Sequence, residues 1–260
     1  MQIEVPYNYD SLLLTELQPY KEYIIFLYMN AFPEDCIHAR QGLIPEMSRE
    51  VWEHHVYMII EAGYPLAILL QTLETLPENI LKYYITLGIK IFVVSNDENA
   101  RQLKELGAQI IIGSITKCNS IYNLSTYDEV YDYIIAPFAL NRNIHFLNTL
   151  PNKEKIVLLV NSVCSIHCEF LKWHWQNSEG IGKPCPYKNL TDPSYVAPKD
   201  LSLFQNKIAH IKLQGREWDT ASIIKDVHAY SNQVNEGQIP YEMLIPFGIE
   251  DKTTYYHMEV

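Results

Sequence analysis

The 260-residue sequence lacks the features that mark membrane and secreted proteins. It has no run of eighteen or more apolar residues, and its first residues, MQIEVP, carry neither the basic nor the apolar region of a signal peptide. Five cysteines without an export signal are not expected to form disulfides, because cytosolic thiols are kept reduced. We therefore expect a cytoplasmic protein that does not interact with a membrane.

Several motifs of catalysis and nucleotide binding are also missing. There is no His-Glu-x-x-His zinc site, no Gly-x-Ser-x-Gly nucleophile turn and no defined Cys/His pair, so little in the residues supports proteolysis. The formal charge of -11 disfavours nucleic-acid binding by bulk attraction to phosphates, although a basic patch inside a cleft could still bind RNA.

A repeated pattern of helix, glycine and apolar strand is the clearest positive signal. Three amphipathic stretches end at Gly63, Gly88 and Gly107, and each is followed within two residues by a β-branched run. Ser48 is expected to cap the first helix, and Asn96 or Asp97 the third. The runs are apolar without alternation, which is typical of a parallel sheet covered on both faces.

Eight such runs predict a single (β/α)8 TIM-like barrel over residues 1–236, with a C-terminal tail, 237–260, packed on it. A doubly wound open sheet is the alternative, but the turn after the first strand, VPYNYD, has no glycine. The stretch 162–207 between strands seven and eight is rich in Gly and Pro, which predicts a long loop. The strands are expected at 2–7, 23–29, 65–71, 89–95, 109–114, 131–137, 155–161 and 208–214.

Polar residues follow these strands, at the end of a barrel where active sites lie. Each of them alone could simply begin a loop or cap a helix. Together they predict a polar pocket made of Asn8, Asn30, Gln71, Ser95, Ser114, Asn141, Asn161, Gln214, Arg216 and Glu217.

Two basic residues near strand eight are candidates for substrate binding. The planar guanidinium of Arg216 suits a carboxylate or phosphate, unless it forms a structural ion pair with Glu217 or Glu4. Lys212 lies within the predicted strand, so either it reaches an inward carboxylate or the predicted register is wrong. From this placement we assign catalytic roles to Arg216, Asn161 and Glu217, and substrate binding to Lys212 and to the residues Asn8, Gln71 and Ser114.

The cysteines indicate a metal site. Cys164 and Cys168 are four residues apart, and Cys185 returns after a Gly/Pro stretch that can fold over them. Soft thiolates select zinc or an iron-sulfur cluster, and either requires a fourth ligand. Cys36, which follows strand two, is the first choice, and Cys118 and His174 are the alternatives. Buried structural thiols would be the other explanation.

The stretch NSVCSIHC at 161–168, Cys185, and the later KLQGRE at 212–217 resemble the collagenase-like U-32 peptidase family. In this family a strand runs into cysteine motifs, and a Lys-Ile-Glu-Gly-Arg-like strand precedes the last helix. Here Gln214 replaces the usual Glu, and the cysteine spacing is shorter and sparser than in typical members. An early cysteine followed by basic residues resembles the branch that supports oxygen-independent ubiquinone hydroxylation, which favours Cys36.

This resemblance implies a barrel with a 4Fe-4S cluster that acts in oxygen-independent hydroxylation of a quinone ring or of RNA bases. Some members are instead peptidases. From the resemblance and the residues we expect an enzyme that binds a small-molecule, RNA or peptide substrate. The alternatives are a peptidase with a structural metal such as zinc, and a non-catalytic partner subunit of an oxidoreductase.

Overall fold

The computed structural model describes residues 1–36, 45–115, 124, 129–141, 143–162, 164 and 194–234. The remaining residues, among them Cys118, Cys168, Cys185, His174 and the predicted tail at 237–260, lie outside the described residues.

Eight parallel strands form a closed barrel in which each strand pairs with its neighbour in sequence and the last pairs with the first. Closure is made by two register pairs, Ile3 with Ile211 and Glu4 with Lys212. The predicted barrel is therefore confirmed, and the open doubly wound sheet is wrong. The strands are β1 (Ile3–Pro6), β2 (Ile24–Asn30), β3 (Leu66–Leu70), β4 (Ile91–Val94), β5 (Ile110–Gly113), β6 (Tyr133–Ile135), β7 (Ile156–Leu159) and β8 (His210–Lys212).

Helices surround the barrel. They are α1 (Leu12–Glu16), α2 (Arg49–Glu61), α3 (Glu78–Thr86), α4 (Asp97–Glu105), α5 (Ile144–Thr149) and α6 (Thr220–Asn232), with short 3-10 turns between some of them. In the described part of the chain, no helix is both long and apolar enough to cross a membrane.

The helix ends follow the sequence signals. The hydroxyl of Ser48 accepts a hydrogen bond from the backbone N–H of Val51, and the Asn96 side chain accepts one from Asn99. Gly63, Gly88 and Gly107 all have positive φ after their helices, the conformation that a glycine adopts most easily.

The alternation of side chains along each strand divides the core into two layers. One set points outward and packs against the helices, for example Val5, Leu27 and Ile68. The other set fills the lumen of the barrel and includes Phe26, Tyr28, Ala67, Leu69, Ile91, Val93, Ile112, Ile135, Val157 and Leu159.

Candidate active site

The polar residues at the strand ends lie at the carboxyl end of the barrel, called here the mouth. Asn30, Gln71, Ser95, Ser114 and Asn161 continue the inward-facing series of their strands, and all five are buried. The Oγ atoms of Ser95 and Ser114 are 2.6 Å apart and share a hydrogen bond. The predicted joint placement of these side chains is therefore found, because parallel strands bring their carboxyl ends to one edge.

Two predicted site residues are engaged in holding the mouth together. The Asn161 amide donates to Asp226 on α6 at 2.7 Å and to the Gln214 carbonyl at 3.1 Å, and its oxygen accepts from the Gln214 N–H. The Asn8 amide donates to the Trp218 carbonyl at 3.0 Å. Both amides thus tie the loop after β8 to neighbouring elements, a positioning role that the sequence reasoning did not assign to them.

A charged cluster lies inside the lumen below the mouth. Glu4 on β1 accepts hydrogen bonds from Lys212 at 2.5 Å and from His210 at 2.7 Å, and all three residues are buried. The Lys212 ammonium lies 3.2 Å from the ring centre of Tyr28, a close cation–π contact. Of the two alternatives for Lys212, the one with an inward carboxylate partner is therefore confirmed.

Burial and charge pairing shift the pKa values of the residues in this cluster in opposite directions. Burial would raise the pKa of Glu4, but Lys212 and His210 outweigh it, so that the pKa lies below its usual value. Burial lowers the pKa of Lys212 to about 8, although Glu4 opposes the shift. The cluster therefore contains an ionised pair at neutral pH.

Arg216 lies above Tyr28, with its guanidinium carbon 5.7 Å from the ring centre. It donates a hydrogen bond to the Asn30 side-chain oxygen, and its residue is only 6% exposed. Neither predicted ion-pair partner contacts it, because Glu4 is paired with Lys212 and His210 while Glu217 is exposed. The structural ion-pair explanation of Arg216 is thus wrong, and Glu217 does not join the buried group.

The ends of the long loop are joined at the mouth. The N–H of Ser194 donates to the Cys164 carbonyl at 2.8 Å, and the Ser194 hydroxyl donates to the Ser162 carbonyl at 3.1 Å. The Asn141 amide donates to the carbonyls of both Leu159 and Ser194. Ser162, Cys164 and Ser194, the described residues on either side of this stretch, therefore meet at one point beside β7.

The two described cysteines have different surroundings. Cys164 is half-buried and packs against the apolar cluster of the lumen. Cys36 is fully buried in the outer layer. Burial raises the pKa of its thiol to about 12, although hydrogen bonds with the backbone of Thr72 and Gln71 oppose this shift. Cys164 fits a thiolate ligand at the mouth, whereas Cys36 has the surroundings of a protonated thiol.

The structure does not bring these two cysteines together. The backbone contacts of Cys36 place it at the end of β3, and β3 and β7 lie on opposite sides of the eight-strand barrel. Among the described residues there is no group of three or more His, Cys, Asp or Glu side chains that could hold a metal ion. The prediction that Cys36 is a ligand together with Cys164, Cys168 and Cys185 stays a prediction.

The sequence did not predict Tyr9, Tyr28 and His210 as parts of this region, and it suggested Glu4 only as an ion-pair partner of Arg216. A signal for the charged cluster was present, since Glu4 interrupts the first apolar run and His210 and Lys212 interrupt the last. The first and last strands are neighbours in a closed barrel, so opposite charges at matching depths predict a lumenal pair. No comparable sequence signal marks Tyr9 or Tyr28.

Comparisons with known proteins support the fold. No family model matches the chain, and no curated protein matches its sequence. Among solved structures, the U32 peptidase Mk0906 has a TM-score of 0.58 and 13% sequence identity, over 83% of this chain and 92% of that chain. A mutant tryptophan synthase alpha-subunit from the hyperthermophile Pyrococcus furiosus has a TM-score of 0.48 and 11% identity, over 90% and 95%. The likeness to Mk0906 shows a shared barrel fold.

Proposed function

We propose that this protein is an iron-sulfur enzyme that modifies a substrate held at the mouth of the barrel by oxygen-independent hydroxylation or a related redox reaction. The observation that carries the proposal is the position of Cys164, which lies at the carboxyl end of β7, against the lumen, where the ends of the cysteine loop are joined. A metal with only a structural role has no need of this end of the barrel, whereas active sites of barrel enzymes lie there.

In this proposal Cys164, Cys168 and Cys185 hold a 4Fe-4S cluster, and the fourth ligand is one of the predicted candidates Cys36, Cys118 and His174. The burial of Cys36 in the outer layer favours Cys118 or His174, which lie outside the described residues. When bound, such a cluster supplies one-electron redox chemistry. The residues of the chain provide the rest of the site. Arg216 binds and orients the substrate, Gln71 and Ser114 contribute hydrogen bonds from the opposite wall, and Asn8 and Asn161 fix the loop that carries Arg216.

Metal analysis of protein produced and purified without oxygen tests this proposal. We expect brown protein with about four irons and four sulfides per chain. The Cys168→Ala variant should lose both the colour and the activity, because removing one thiolate opens the ligand set. Loss of iron in Cys36→Ala but not in Cys118→Ala would identify the fourth ligand, and thermal unfolding of each variant controls for folding. A Cys168→Ala protein with full activity would contradict a catalytic cluster.

A peptidase is the second candidate, favoured by the structural likeness to a U32 peptidase. It predicts colourless protein, with zinc or no metal, that cleaves peptides independently of Cys168. A colourless protein that does not cleave peptides but copurifies with an oxidoreductase would instead support the role of a partner subunit.

A further inference from the structure

Arg216 is a buried cation that lacks an anionic partner. Its residue is 6% exposed, and among the described residues no carboxylate forms an ion pair with it. Within the described part of the chain its hydrogen bond goes to the neutral side-chain oxygen of Asn30, although a guanidinium carries five donors. Burying a charge without a partner lowers the stability of the folded protein. An anion that binds beside Arg216 would compensate this charge.

Two further donors beside Arg216 also have no acceptor among the residues that the structure describes. Asn30 is completely buried, and its Nδ2 atom has no hydrogen-bond partner while its oxygen accepts from Arg216. The Tyr9 hydroxyl is buried and donates to no acceptor among the described residues, while the Asn30 backbone, the Trp52 indole and Arg216 all act on its oxygen and oppose the burial that raises the pKa of Tyr9. Tyr9 has a φ of 62°, a conformation that residues other than glycine rarely adopt.

The missing partner must therefore accept hydrogen bonds and carry negative charge. Among the described residues of the lumen, the formal charges of Lys212 and Glu4 cancel, which leaves the positive charge of Arg216. One excess positive charge matches a carboxylate better than a phosphate dianion, and the two oxygens of a carboxylate suit a planar guanidinium fork together with the neighbouring amide.

We propose that Arg216, the Nδ2 atom of Asn30 and the hydroxyl of Tyr9 form a carboxylate-binding site at the mouth, which takes a carboxylate of the substrate. The assignment rests on the proposed function only in that the reaction occurs at the same mouth. It defines the substrate class as a monocarboxylate, or as a larger molecule that presents one carboxylate to this site.

Titration of the full-length, anaerobically purified protein with benzoate and acetate tests the site. Calorimetry and thermal unfolding are performed at pH 7 and constant ionic strength. Inorganic phosphate is tested as the alternative anion, and benzamide as the uncharged analogue of benzoate. We expect saturable binding of a carboxylate with a rise in the unfolding temperature, and no binding of benzamide. Arg216→Gln should weaken carboxylate binding by about tenfold or more, because it removes a charge-assisted hydrogen bond.

Three variants separate a binding role from a structural one. Tyr9→Phe should weaken carboxylate binding while the unfolding temperature of the free protein is maintained. Asn30→Asp places a carboxylate beside Arg216 within the chain, so it should abolish the binding of added carboxylate without lowering the unfolding temperature of the free protein. Arg101→Gln, at an exposed arginine on α4, is the matched control for loss of positive charge and should bind like the wild type.

The proposal is overturned if neither carboxylate binds the wild type, if binding is the same in Arg216→Gln, or if phosphate binds more tightly than both carboxylates. The iron content of the same preparations reports separately on the proposed function. A protein that binds benzoate through Arg216 but contains no iron would retain the carboxylate site and contradict the cluster.

Discussion

At the scale of single residues, Gly215 determines how Arg216 enters the mouth. Its φ of +125° lies in the region that favours glycine, and a Cβ atom there would lie 2.5 Å from the Cε3 atom of the Trp218 indole. The turn after β8 therefore requires glycine both for its backbone conformation and for the close approach of Trp218. Arg216 follows directly, so a backbone adjustment at residue 215 would change the position of the guanidinium relative to Asn30.

We expect Gly215→Ala to lower the free energy of unfolding more than Gly107→Ala. Gly107 also has a positive φ, +95°, but a Cβ there would meet no atom within 4 Å. Gly107→Ala should therefore cost only the backbone strain, about 1 kcal/mol, whereas Gly215→Ala adds the clash with Trp218. Denaturant titration of both variants measures the difference, and equal losses would show that Trp218 adjusts freely.

At the scale of elements, the base of the cysteine loop depends on Asn141, whose amide donates to two carbonyls that belong to opposite ends of the loop. These are Leu159 at 2.8 Å and Ser194 at 2.5 Å. The segment containing Asn141 precedes α5, so β7, the loop base and the α5 region are joined at one residue. Asn141 therefore holds the two ends of the loop together, although it lies outside the cysteine motifs.

We expect Asn141→Asp to destabilise the protein by about 2–3 kcal/mol, because the carboxylate would face two carbonyl oxygens in a buried place. Asn143→Asp is the matched control. Asn143 caps α5 by accepting from the Phe146 N–H at 2.9 Å, and Asp caps a helix equally well, so this variant should be nearly neutral. Chemical unfolding measures both changes. If the proposed cluster exists, Asn141→Asp should also reduce the iron content. A variant as stable as the wild type would show that the hydrogen bonds of Asn141 do not stabilise the protein.

At the scale of the whole molecule, the buried cluster of Glu4, His210 and Lys212 joins the two strands that close the barrel. These residues are far apart in sequence, so their contact depends on the complete fold. Removing one member of a buried ion pair costs about 3–5 kcal/mol, since it leaves an uncompensated charge, whereas replacing both members can be nearly neutral. Glu4→Gln should thus be more destabilising than Glu4→Gln combined with Lys212→Met.

The same cluster should give the stability a defined dependence on pH. The folded pKa of Glu4 is below its ordinary value of 4.5, so its contribution is fully present above pH 4.5 and is lost as the pH falls through the folded value. The pKa of Lys212 is lowered from 10.5 to about 8, so between these values the unfolded chain binds more protons and the free energy of unfolding rises with pH. Both trends should weaken in the double variant, as measured by denaturant titration across pH. Identical pH profiles for wild type and double variant would contradict these shifts.

The elements of the barrel and their order could be predicted from local sequence patterns. Gly63, Gly88 and Gly107 end helices, and apolar runs follow them, because local backbone preferences and burial on both faces of a sheet are expressed in short segments. The predicted strands agree with the observed ones to within about two residues at each end.

Only the tertiary structure decided which polar residues meet and which of them remain without partners. Asn161 and Arg216 both follow strands, yet the Asn161 amide is engaged with Asp226 and Gln214, while Arg216 has no carboxylate partner among the described residues. Hydrogen-bond satisfaction depends on atoms brought together from distant parts of the chain, and the spacing of residues in a sequence does not specify it. The unpaired donors of Arg216, Asn30 and Tyr9 can therefore be recognised only from the folded barrel.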